Sequence, residues 1–279
     1  MIRLLLSAAM VPILVGCGEN ITARGSPDSP SPNIKENPGL VAANPIGTQA
    51  QSFPDPEARN GLVKEMLGRR AFTLRDSGSP PPGNAGQVIR SLEAAARSGS
   101  GKASYEIHLK IRECLHVLKA ADRGGVPSIR PELHENCKGL SSEDQAAGAD
   151  WLRLAAEQGH LGAQKLFASD AESVIGGIQD MFRDPEAVQE YKRDAIGYMS
   201  AASKRGFIDA LRWMGDMHSY GVYSAQDRVK GYAYYLAVQR AAPEHISDRM
   251  LAQISAGFSS EEVERATTIS KEIHDECCG

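Results

Sequence analysis

The feature that most restricts what this chain can fold into is a segment that occurs twice. Gly148–Ala163 and Ala195–Ala210 align without a gap, placing Trp151 opposite Tyr198, Ala155 opposite Ala202, Gly159 opposite Gly206 and Ala163 opposite Ala210. A weaker copy spans Val88–Ala103, with Gly99 and Ala103 at the last two of these positions. A helix that ends at such a glycine can turn through the left-handed region at little steric cost. A second helix then starts about two residues on, with the small alanine where two helix backbones approach. One hairpin of this kind cannot bury its own apolar face, so copies must stack. Beyond Asn84, apolar and alanine positions keep helical spacing, and the alternation expected of a sheet is missing. Gly and Pro fall at segment ends, as at Gly124, Gly125, Pro127, Gly139, Pro243 and Gly257. The expectation is an all-α body of short helices joined by tight turns.

These copies resemble the Sel-one-like repeat, an α/α-hairpin repeat related to tetratricopeptides. The resemblance runs on through Ala210–Gly221, where Gly215 and Gly221 match the family's second helix and turn. Asp227 then stands at the family's acidic position before the next helix, Gly231–Ala237. It covers residues 148–167 and 195–237, is weak over 88–107 and does not reach 18–84. It implies an α/α-hairpin solenoid that acts as an adaptor, holding a protein or peptide on its concave face. The pattern also departs from the family. Tyr223 stands where a second turn glycine is usual, and glycines 99, 159 and 206 lie 60 and 47 residues apart, against a family period of about 36. Insertions are therefore expected near 119–140 and 169–190, the second carrying an extra helix over Ala171–Asp184. Ser259-Ser260-Glu261-Glu262 reads as an N-cap and acidic first turn of a closing helix that reaches Cys278.

The N-terminus follows a different logic. Arg3 precedes a short apolar run from Leu4 to Val15, less than the roughly twenty residues a membrane span needs. The run ends in Leu14-Val15-Gly16-Cys17, which resembles a bacterial lipobox. That resemblance implies a cleaved signal over 1–16 and lipid attached at Cys17, with Gly18 favouring the outer membrane, facing the periplasm. Residues 17–84 are rich in Pro, Ser, Asn and Gly and read as a flexible linker, with one isolated helix at 56–74 carrying Leu62, Met66 and Leu67 on a face. The repeat body is placed at 85–279.

Composition narrows the chemistry. Formal charge is −4 and the basic residues are scattered, so the patch that nucleic acid requires is missing. Besides Cys17 there are four cysteines, Cys114, Cys137, Cys277 and Cys278, which an oxidising compartment would pair. Three connectivities exist; Cys114–Cys137 is favoured because it would tie neighbouring helices across a short loop. Cys277 and Cys278 leave open a bond to each other, a bridge between chains, or free thiols. Cys114-Leu115-His116 with His134-Glu135-Asn136-Cys137 offers the alternative of a tetrahedral zinc site, although Cys-x-His is an unusual spacing. His274-Asp275-Glu276-Cys277-Cys278, at the chain end, reads equally well as solvated. His108 and His116 share a helix face, a pairing more often found on surfaces or in packing than in ligation. Trp151, Tyr198, Trp213, Tyr234 and Tyr235 occupy repeat core positions. Nucleophile-elbow, phosphate-loop, dinucleotide and metalloprotease motifs are missing, so no catalytic residue, metal or cofactor is assigned.

Overall fold

The computed structural model describes residues 62–122 and 131–279. The expected lipobox with Cys17, most of the expected linker, and Gly124, Gly125 and Pro127 lie outside the described residues.

Three turns of one design organise the body. Helices α1 (Ala85–Arg97) and α2 (Gly101–Asp122) meet at Gly99, α5 (Gly148–Glu157) and α6 (Leu161–Ser169) at Gly159, and α9 (Pro185–Lys204) and α10 (Ile208–Tyr220) at Gly206. Each glycine has a positive φ, between 81° and 99°. At each turn the glycine N–H donates to the carbonyl three residues back, and the next N–H reaches the carbonyl five residues behind it. The pairs are Gly99 to Ala96 and Ser100 to Ala95, Gly159 to Ala156 and His160 to Ala155, and Gly206 to Ser203 and Phe207 to Ala202. This is the Schellman arrangement, and it satisfies two carbonyls that a helix end would otherwise leave without partners. His160 then caps α6, its Nδ1 accepting from the Ala163 N–H at 3.1 Å. Ala155, Ala163, Ala202 and Ala210 are fully buried and Trp151 nearly so, where the helices of each pair close on one another.

Packing passes from neighbour to neighbour. α1 rests on α2, α2 on α5, α5 on α6, α6 on α9, α9 on α10, and α10 on α11 (Arg228–Ala241). Gly221 ends α10 in the left-handed region, and Asp227 caps α11 by accepting from the Lys230 N–H at 2.9 Å. Gly215 gives α11 room, since a Cβ there would stand 3.0 Å from the Tyr235 ring. A short α12 (Asp248–Ile254) follows, and α13 (Ser260–Cys277) covers α11. Ser259 and Glu262 form a reciprocal capping box at the start of α13.

Between these hairpins lie shorter pieces: α3 (Pro131–Cys137), α4 (Ser142–Ala146), α7 (Ala171–Ile175) and α8 (Ile178–Arg183). The stretch expected to carry one extra helix thus holds two, Ala171–Ile175 and Ile178–Arg183. Gly176 breaks it at φ 84°, and Asp180 folds back to accept from the Gly177 N–H at 3.0 Å. Tyr223 fills a structural role that a glycine would leave vacant. Its hydroxyl donates to the Ala168 carbonyl at 2.7 Å while Tyr191 donates to Phe167 at 3.0 Å, so two phenols cap the end of α6. Around them Phe167 meets Tyr198 edge-on at 5.2 Å, and Trp213 lies 4.8 Å from Tyr223.

The expected isolated helix at 56–74 is corrected over its described part. Val63–Met66 (β1) and Phe72–Asp76 (β2) form an antiparallel hairpin, closed by the Leu67 N–H on the Ala71 carbonyl at 2.9 Å. Leu62, Ala71 and Phe72 are buried, so the folded body begins by Leu62 and not at residue 85. The cause is tertiary. The Phe72 N–H donates to the Gly206 carbonyl at 2.9 Å, and the Phe72 and Phe207 rings stack at 5.6 Å. Gly206 is therefore constrained twice: by its φ of 87°, and by the Arg70 carbonyl, which would lie 2.5 Å from an added Cβ. At Gly159 an added Cβ meets nothing within 4 Å. Gly159→Ala should cost about 1–2 kcal/mol from its backbone conformation alone. Gly206→Ala should cost clearly more and loosen the β-hairpin, as read by urea unfolding and amide exchange at Phe72.

Candidate functional site

The four described cysteines form two pairs. Cys114 on α2 is bonded to Cys137 on α3, with the Cα atoms 5.1 Å apart, and Cys277 is bonded to its neighbour Cys278. With both sulfurs committed to each other, Cys114 and Cys137 do not act as thiolate ligands. No group of three or more His, Cys, Asp or Glu side chains is placed to hold a metal ion among the described residues. In the C-terminal cluster, Glu276 pairs with Lys204 at 2.8 Å and the His274 Nδ1 is 3.5 Å from Asp275. The bond from α2 to α3 closes a stretch of chain spanning 23 residues. Replacing both Cys114 and Cys137 with Ser should lower the unfolding free energy by about 3 kcal/mol, measured by denaturant unfolding beside the reduced wild-type protein.

α2, the junction of α4 and α5, and α7 border a cleft of about 510 Å³. Its first wall is one face of α2, along which His108, Arg112, His116 and Lys119 recur at three- and four-residue spacing. Its second is the junction of α4 and α5 at Gly148 and Ala149. Its third is α7 with Asp170 before it and Gly176 after it. Asp170 holds that wall in place by capping α7, accepting from the Ser173 N–H at 3.2 Å and the Ser173 hydroxyl at 2.7 Å. Arg112 reaches across the cleft to Asp170 at 3.3 Å. Lys119, His116 and Glu172 are exposed at its edge and have no ion-pair partner among the described residues.

His108 is the unusual member. It is 3 % exposed, its Nδ1 lies 2.9 Å from the Gly148 carbonyl, and its Nε2 has no partner. Burial holds this imidazole below its usual range, and Arg112 adds to the effect. A neutral ring that donates Nδ1–H to a carbonyl leaves Nε2 as an acceptor. The sequence paired His108 with His116 on one face; nothing in it showed the walls opposite. Arg112 and Lys119, four and eleven residues after His108, complete the same stripe and were missed.

A second buried histidine, His218 on α10, stacks on Tyr234 at 5.7 Å and has neither ring nitrogen bonded. Burial, and then nearby Lys230, lower its pKa, with Asp227 opposing them. Folding therefore favours the neutral forms of both rings. Their contribution is complete above the unfolded value of about 6.5 and is lost as pH falls below it. The melting temperature should drop between about pH 7.5 and pH 5.5, and His218→Phe should flatten that dependence in thermal scans.

Ile178 and Phe182, one turn apart on α8, are the most exposed large apolar residues among the described ones, at 69 % and 82 %. No described helix is long and apolar enough to cross a membrane. No protein-family model matches the chain, and no curated protein is detectably similar to it.

Proposed function

We propose that this is a lipid-anchored protein of the bacterial envelope whose stacked helical hairpins bind a protein partner and catalyse no reaction. In this reading Cys17 carries the lipid, residues beyond it form the tether, and the body is a Sel-one-like superhelix at the periplasmic face of the outer membrane. Three turns of one design and neighbour-to-neighbour packing support the repeat assignment. The observation that carries the binding role is the pair Ile178 and Phe182. Aromatic and aliphatic side chains left in water side by side mark contact surfaces, because covering them releases free energy that folding has not used. Their position on an insertion, away from the hairpin faces, favours a second reading: a compact inhibitor or immunity-type binder that meets one partner through α7 and α8.

Crosslinking in intact envelopes followed by affinity capture tests the role. The wild-type protein should capture a defined partner that an Ile178→Ser, Phe182→Ser double variant loses while keeping its helical circular dichroism. An unchanged crosslinking pattern in that variant would sink the proposal. Cys17→Ala should abolish labelling by palmitate and release the protein from the membrane fraction.

A further inference from the structure

We propose that Cys277 and Cys278 form a reversible redox site, reduced by a dithiol, whose state sets how firmly the end of α13 holds the junction at Gly206. The inference does not rest on the partner proposed above.

The two disulfides differ in what they can do. Cys114–Cys137 joins residues 23 apart and so restricts the unfolded chain. Cys277 and Cys278 are already joined by a peptide bond, so linking their sulfurs removes almost no freedom from the unfolded chain. The effect of that bond is local: it closes a small ring around the peptide group between the two residues. This peptide group sits where separate parts of the body meet. Its N–H donates to the His274 carbonyl at 2.8 Å, continuing the last turn of α13. Its oxygen is the Cys277 carbonyl, which would stand 3.2 Å from a Cβ on Gly206. One residue earlier, Glu276 pairs with Lys204 on α9 at 2.8 Å. Both cysteine side chains are buried in one apolar cluster with Ala71, Ile208, Leu211 and Ala233. The ring therefore holds one peptide plane against the turn that the β-hairpin also uses, and opening the ring returns that plane's rotation to the chain.

Adjacency also makes the change reversible. A thiolate of the dithiol attacks one sulfur, forming a mixed disulfide and expelling the other as a thiolate, which takes up a proton. The dithiol's second sulfur then displaces the first cysteine, which is protonated in turn, and the dithiol leaves as its own disulfide. Two electrons and two protons thus pass to the protein. Re-forming the bond requires no refolding, because the two thiols stay on neighbouring residues. Cys277 lines a small recess with Lys204 and Glu276, both more than half exposed, so the attacking sulfur needs only local opening of the last helical turn. Cys114 and Cys137 are fully buried between α2 and α3.

The test is a titration of the full-length oxidised protein with dithiothreitol under native conditions. Alkylation and mass spectrometry map the thiols, and amide exchange is read on parallel samples. Cys277 and Cys278 should be alkylated at concentrations that leave Cys114–Cys137 intact. In that state, exchange at the Phe72 amide, which donates to the Gly206 carbonyl, should rise at least about fivefold and fall again on re-oxidation. A Cys277→Ser, Cys278→Ser double variant should show the faster rate with or without reductant. Opening of Cys114–Cys137 first, or of both bonds together, would overturn the proposal. So would Phe72 exchange that ignores reduction at Cys277 and Cys278, or a double variant that exchanges as slowly as the oxidised protein. Should the double variant fail to fold, the titration of the natural protein decides alone.

Discussion

The hairpins hang on a single backbone condition, met at Gly99, Gly159 and Gly206. There the chain must enter the left-handed region so that two successive N–H groups can turn back onto the helix just completed. Once those bonds form, the direction of the next helix is no longer free, and the alanine four residues after the glycine is carried into the contact between helices. Ala103, Ala163 and Ala210 all occupy that buried place. A larger side chain would hold the helices apart. The packing from α1 through to α11 inherits its geometry from these turns, and α13 covers the last exposed face.

Where the chain leaves this regular plan, features of another kind arise. The stretch after α2 supplies α3 and α4, with the Cys114–Cys137 bond fastening α3 to the body. The stretch after α6 supplies α7 and α8. Because it interrupts the succession of hairpins, the end of α6 needs partners for its carbonyls, and Tyr191 and Tyr223 provide them. The same interruption leaves a gap between α2 and α7 that the hairpins do not fill, and leaves Ile178 and Phe182 in water. Both candidate contact regions therefore involve the shorter helices that lie between the hairpins.

This division explains what the sequence made legible. The turns at Gly159 and Gly206 were readable because their cause is local: one glycine, an alanine at fixed spacing, and an apolar face around them. The caps at Asp227 and Ser259 were readable for the same reason. The Cys114–Cys137 pair could be favoured because both residues flank one short connection. The strands at 63–76 were not legible. Leu62, Met66 and Leu67 fit a helical face, and only the distant Gly206 carbonyl and Phe207 ring make an extended chain the better choice for Phe72. The break at Gly176 could have been inferred from the Gly176-Gly177 pair, which the apolar pattern around it obscured. Of the cleft, only the stripe on α2 was visible as periodicity. Its other walls come from residues 145–149 and 170–177, and no local rule brings those opposite His108.

The turn at Gly206 has a further consequence. Around it gather the Arg70 carbonyl from the turn between the first two strands, the Phe207 ring, and the Cys277 carbonyl, which would stand 3.2 Å from a Cβ on this glycine. Segments from near the start, the middle and the end of the described chain thus share one small junction. Contacts between such distant segments carry the greatest loop-closure entropy, whereas each hairpin costs little to close. Assembly is then ordered by topology: hairpins first, from local contacts, and the joining of the two ends last. A chain severed at either end would retain its hairpins and lose the seam that closes them into one cooperative unit.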